Sequence, residues 1–132
     1  MIRNLLFWLA LLPALAAAAQ SPVAFGQSEL TIETGAGSQR FRVEVATSEQ
    51  QKSRGLMFRS EMAADAGMLF VYDTPHVVTM WMRNTLIPLD MLFIDSEGRI
   101  AHIAERAVPR SDKTISSRAR VTGVLELNGG TV

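Results

Sequence analysis

No cysteine occurs anywhere in the 132 residues. That removes disulfide staples, thiolate zinc sites and thiol nucleophiles together. Only two histidines are present, His76 and His102. A hydrolase would therefore need the fold to set one of them beside a carboxylate such as Asp90 or Glu105. The chain has neither a Gly-x-Ser-x-Gly elbow nor a His-Glu-x-x-His helix to signal that chemistry. Charge of one sign is lacking too. Thirteen Lys and Arg balance thirteen Asp and Glu, and without basic excess there is no electrostatic footprint of a nucleic-acid binder.

What the sequence does have starts with an address. Met1-Ile-Arg3 gives a positive start, Leu5 to Ala16 is an apolar run broken only by Pro13, and Ala17-Ala18-Ala19 supplies small residues for cleavage. The run falls short of the ~20 apolar residues that span a bilayer. Residues 1–19 are therefore predicted to be a signal peptide rather than an anchor. Cleavage after Ala19 leaves Gln20 first, and loss of Arg3 brings the net charge to −1. The periplasm is the expected destination and the extracellular space the second. An uncleaved membrane anchor ranks last, and no stable membrane span remains after cleavage.

The rest reads as short strands. Residues 20–39 form a linker with a possible edge strand around Leu30 and Ile32, then a turn at Gly35-Ala-Gly37-Ser. Phe41 to Val45 alternates strictly, with Phe41, Val43 and Val45 facing inward. Thr47 with Gln50 predicts a capping box, and Gly55 predicts the helix's end near Arg54. Met68–Tyr72, Val77–Met82 and Leu89–Ile94 are apolar on both faces, as doubly covered strands are. Asp95-Ser-Glu-Gly98 predicts a hairpin turn into Arg99–Ala104. Pro109–Arg120 reads as a polar connection, and Val121–Leu127 as the last strand. The expected fold is mainly β, a compact single-domain sandwich or barrel over 40–132 with one short helix near residues 48–54.

Four runs carry a family resemblance: Arg54-Gly-Leu-Met-Phe-Arg59, Gly67-Met-Leu-Phe70, Trp81 to Asp95, and Val124-Leu-Glu-Leu127. From about Phe41 to Gly130 the chain closely resembles the domain of unknown function 192. The resemblance implies a mostly β single domain, often exported. It implies no established activity, ligand or catalytic residue. It also implies a further helical turn and a strand with a Gly-Asp pair beyond Gly129-Gly130, whereas this sequence stops at Val132. A missing closing strand predicts an exposed sheet edge open to pairing with another chain.

The candidate chemistry lies between residues 54 and 91. Trp81 offers a flat apolar platform. Asn84 and Asp90, with Arg83, offer directional hydrogen bonds, and such a set suits a small polar molecule or glycan. Arg54 and Arg59 flank Gly55–Phe58 and either clamp a carboxylate or phosphate or pair with Asp90 or Asp95. Asp90, among apolar strand neighbours, is expected to have a raised pKa. Six methionines fall at 57, 62, 68, 80, 82 and 91, and with the histidines they raise copper(I) as an alternative. The leading expectation is a non-enzymatic exported module for a small polar ligand or an envelope partner. It uses Trp81, Asn84, Asp90, Arg54 and Arg59, with no catalytic residue, cofactor or metal. A hydrolase-like or carbohydrate-active enzyme using Asp90 is the alternative, and copper handling the second.

Overall fold

The computed structural model describes residues 22–132, so the expected signal peptide lies outside the described residues. Six strands and one helix follow in order. They are β1 (Gly26–Thr34), β2 (Gly37–Ala46), α1 (Glu49–Arg54), β3 (Ala66–Met80), β4 (Leu89–Ile94), β5 (Ile100–Ala107) and β6 (Ile115–Asn128). They make one mixed sheet in the order β1-β2-β3-β6-β4-β5. The mainly β expectation holds. The sandwich or barrel resolves into a single sheet that does not close.

Local chemistry explains most of the elements. β1 and β2 form a hairpin across Gly35-Ala36, in register from Gly26↔Val45 to Thr34↔Gly37. β2 then runs parallel to β3, which requires a crossover connection, and α1 lies in it. The capping box sits one residue later than expected. Ser48, not Thr47, is the N-cap, and its side chain accepts from Gln51 N while the Gln51 side chain reaches back to the Ser48 N–H. Thr47 N–H also donates to Gln51 Oε1. One glutamine thus satisfies both residues, which is why the sequence did not separate them.

Two expected strands, Met68–Tyr72 and Val77–Met82, are one. β3 continues through Pro75 because the ladder to β6 is irregular there, with a register shift between Val71 and His76. A residue without an N–H is tolerated where the pairing is already broken. At the other end of β3, Gly67 is obligatory. A Cβ there would lie 2.6 Å from the Glu126 carbonyl oxygen and 2.8 Å from a Leu127 methyl. Only glycine lets β3 close on β6.

Both faces of the sheet are apolar. One carries Met68, Phe70, Met91, Phe93 and Val124, covered by Leu56 and Met82 from the loops. The other carries Phe41, Val43, Leu92, Leu125 and Leu127. Leu30 and Ile32 of edge strand β1 and Ile103 of edge strand β5 all pack on this second cluster. The sheet is therefore strongly curled. β4 and the second half of β6 are buried on both sides, as their continuous apolar runs require.

Candidate functional site

Two loops meet over the end of β3 and build a cleft. Gly55 ends α1 at φ 46°, and a Cβ there would crowd the Phe70 ring at 3.1 Å. The chain then turns through Phe58 at φ 65°, a conformation rare for a bulky residue. The facing loop turns through Asn84 at φ 53°. Phe58 N–H donates to the Asn84 carbonyl at 2.9 Å, which pins the loops together and holds both residues in that conformation.

The cleft encloses about 440 Å³, within the roughly 300–1,000 Å³ range of small-molecule sites. Phe70, Tyr72 and Glu126 lie deep in it, while Trp81, Arg54 and Arg83 stand nearer its mouth. Trp81 is 42% exposed. The Arg83 guanidinium sits 3.8 Å from the indole centroid, and its Nε donates to Asp112. One face of the platform is thus already covered by a cation. Lys52 Nζ lies 4.4 Å from the centre of the Tyr72 ring. The Tyr72 hydroxyl donates to Met80 Sδ at 3.6 Å. Burial, followed by the nearby carboxylates of Glu126 and Glu49, pushes the Tyr72 hydroxyl up to about 12.

Glu126 is the residue that sequence reasoning missed. It opposes Met68 on β3 and Met91 on β4, so its side chain shares a face with thioethers on both neighbouring strands. Only 4% of it is exposed, and its carboxyl makes no hydrogen bond to any described residue. No completely buried polar side-chain atom is left without a partner among the described residues. The Glu126 oxygens therefore touch the cleft space. Burial pushes this carboxyl up to about 8. It holds its proton at neutral pH and presents one O–H donor with acceptor capacity to spare. The available signal was a single acid in the otherwise apolar run Val124-Leu-Glu-Leu127, since an uncompensated buried carboxyl is costly and needs a reason.

The five residues expected to form the site divide. Trp81 and Arg54 line the cleft. Asn84 borders a shallower depression with Phe58 and Leu86, and its amide contacts Met57 Sδ at 3.9 Å. Arg59 pairs with Glu44, and its guanidinium lies 5.8 Å from the centre of the Phe25 ring. The expected pairing of an arginine with Asp90 or Asp95 does not form for Arg59. Asp95 instead accepts the Glu97 and Arg99 N–H groups in the β4–β5 turn.

Asp90 differs most from expectation. It is wholly buried and accepts three backbone N–H groups, from Arg106 at 2.8 Å, Val132 at 2.9 Å and Gly130 at 3.1 Å. Burial alone would raise its pKa. The backbone donors, Val132 and Arg106 foremost and then Gly130, outweigh that and hold it below the usual carboxylate value. An ionised carboxylate with its oxygens so engaged ties the C-terminal segment and β5 to β4. It has no proton to give at neutral pH.

Among the described residues no group of three His, Asp or Glu side chains is placed to hold a metal. Met57 and Met80 line the cleft, but neither histidine does. His102 stacks on Phe93, and His76 meets Tyr72 edge-on with its Nδ1 2.8 Å from the Thr74 carbonyl.

Residues 30–132 match the family model for domain of unknown function 192, described as an uncharacterized ACR. No curated protein matches the chain significantly. Two solved structures are similar. One, from Sinorhizobium meliloti 1021, is provisionally described as a transcription regulator. It is 46% identical with a TM-score of 0.81, over 84% of this chain and 87% of that one. The other, a protein of unknown function from Novosphingobium aromaticivorans DSM 12444, is 38% identical with a TM-score of 0.77. That match covers 79% of this chain and 74% of the other.

Proposed function

The chain belongs to the domain of unknown function 192 family, and on that premise we propose that it is an exported, non-enzymatic module whose Glu126 cleft binds a small, hydroxyl-bearing polar ligand. The observation that carries this reading is the Glu126 carboxyl, buried yet unpartnered among the described residues at the foot of a cleft. A ligand hydroxyl would accept its proton and donate back. That restores the hydrogen bonds burial has removed. Trp81 supplies an apolar surface beside it, and Arg54 and Arg83 favour a ligand with a negative edge, such as a sugar acid or hydroxy acid.

An acid–base enzyme centred on Asp90 has less support, because that carboxylate is ionised and occupied by backbone donors. The regulator description of the S. meliloti neighbour would call for a basic surface. Without Arg3 this chain carries twelve basic against thirteen acidic residues.

Calorimetry with a panel of neutral sugars, sugar acids and hydroxy acids tests the cleft. Saturable binding at about pH 7 is expected, weakened about tenfold or more by Glu126→Leu and by Trp81→Ala, since a buried hydrogen bond or aromatic contact is worth about 1–3 kcal/mol. Binding unchanged in both variants, or no binder in the panel, would remove the reading. Export rests on the residue 1–19 pattern alone. No described helix is long and apolar enough to cross a membrane. Mass spectrometry of the protein from a bacterial envelope fraction is expected to find Gln20 at the N-terminus. An intact Met1 in the cytosolic fraction would contradict it.

A further inference from the structure

A second cleft of about 550 Å³ lies between β5 and the segment that leads into β6. It concentrates positive charge that its lining neutralises only in part. Among the described residues, the side chains of five cations make no hydrogen bond, ion pair or ring contact: Arg40, Arg106, Arg110, Lys113 and Arg118. Three of the five, Arg106, Lys113 and Arg118, line this one cleft. Glu105 is the acid in the lining, so the local balance is two positive charges.

At two of these cations the backbone is fixed by buried polar groups, and the Arg106 guanidinium lies against Gly130. Arg106 (φ 48°) and Arg118 (φ 56°) both adopt left-handed backbone conformations, which cost a non-glycine residue about 1 kcal/mol or more. Each sits at a ladder irregularity, one in β5 opposite β4 and the other in β6 opposite β3. Bulges of this kind re-aim a side chain. Arg106 N–H is fixed by the wholly buried Asp90. The bulge at Arg118 is fixed by the wholly buried Ser117, whose hydroxyl accepts from Val78 N–H and donates to the Ala119 carbonyl. The hydroxyls of Thr114 and Ser116 also line the cleft, beside an apolar wall that includes Ala104 and Ile115.

We infer that this second cleft is a binding site for a phosphomonoester, with the phosphate against Lys113 and Arg118, Arg106 adding its charge, and the organic remainder against Ala104 and Ile115. A phosphomonoester carries about −1.5 to −2 charge at neutral pH, which matches the local balance. Its oxygens suit guanidinium forks and hydroxyl donors. The phosphate could belong to a soluble metabolite or to a lipid headgroup. The site shares Thr114 with the lining of the Glu126 cleft but none of its cations, and it stands whether or not that cleft binds its ligand.

The test uses the protein spanning residues 20–132 with two probes. These are glycerol 3-phosphate in calorimetry, and vesicles of phosphatidylcholine with and without phosphatidic acid in flotation. Saturable binding is expected in one or both arms at low salt, weakening as salt rises. The arm that responds identifies the source. The double variant Lys113→Gln/Arg118→Gln should bind at least about tenfold more weakly, as loss of charge-assisted bonds requires, while its thermal midpoint stays near wild type. Failure of both probes, or equal binding by the variant, would overturn the site. Retention of duplex DNA with neither phosphomonoester probe bound would also overturn it, in favour of a nucleic-acid surface.

Discussion

Glu126→Gln is expected to leave stability almost unchanged near pH 4 and to raise it by about 5 kcal/mol near pH 9, at about 1.4 kcal/mol per unit of pKa shift. Burial is the cause. The carboxyl ionises near its ordinary value in the unfolded chain but only at about 8 in the folded one. Between those two values the native state binds more protons than the unfolded state, so wild-type stability falls as pH rises across that window. Below the window the carboxyl is neutral in both states and its contribution is fully present. Glutamine has similar size and no charge, so the variant escapes the loss. The measurement is the urea midpoint of both proteins from about pH 4 to 9. Groups common to both proteins cancel in the difference. Parallel curves would mean that Glu126 is solvated or partnered in solution, and the cleft would lose its defining group.

Asp90→Ala is expected to cost about 3 kcal/mol or more, because a buried donor deprived of its acceptor costs about 1–3 kcal/mol and three lose theirs together. The donors belong to Arg106 on β5 and to Gly130 and Val132 in the C-terminal segment. Amide exchange should therefore rise at both places before the sheet itself loosens. Asp90→Asn should fall between the two, since its amide keeps one acceptor oxygen but turns a donor toward a backbone N–H. The sign with pH is opposite to that of Glu126. Asp90 is held below its ordinary value, so its contribution is present above that value and is lost as pH falls through the lowered one. Wild-type stability of Asp90→Ala at neutral pH, or unchanged exchange at Gly130 and Arg106, would show that the carboxylate anchors nothing.

The opposed behaviour of these two carboxyls follows from what faces them. Both sit on central strands among apolar neighbours, and a reading by neighbours alone treats them alike. Asp90 meets a cluster of backbone N–H groups brought from residues 106 and 130–132. Glu126 meets methionines and an open cleft. Partners 16 to 42 residues distant, in the case of Asp90, leave no trace in local spacing. Sequence reasoning therefore assigned recognition chemistry to Asp90, which holds the fold, and passed over Glu126, which lines the cleft.

The sequence alone determined a cysteine-free, nearly neutral, mainly β domain. It located the strands at 41–45, 89–94 and 121–127, the short capped helix, and Trp81 and Arg54 as residues worth attention. These depend on two-residue alternation, capping and turn chemistry, all readable within a few positions. Only the tertiary structure decided that β3 runs on through Pro75, that the sheet curls without closing, and that Arg59 pairs with Glu44. It also decided that Arg106, Lys113 and Arg118 line one cleft. Each depends on strand order and register between distant segments. A shift of one residue in that register would exchange the two faces of β6, moving Glu126 out of the cleft and Leu125 into it.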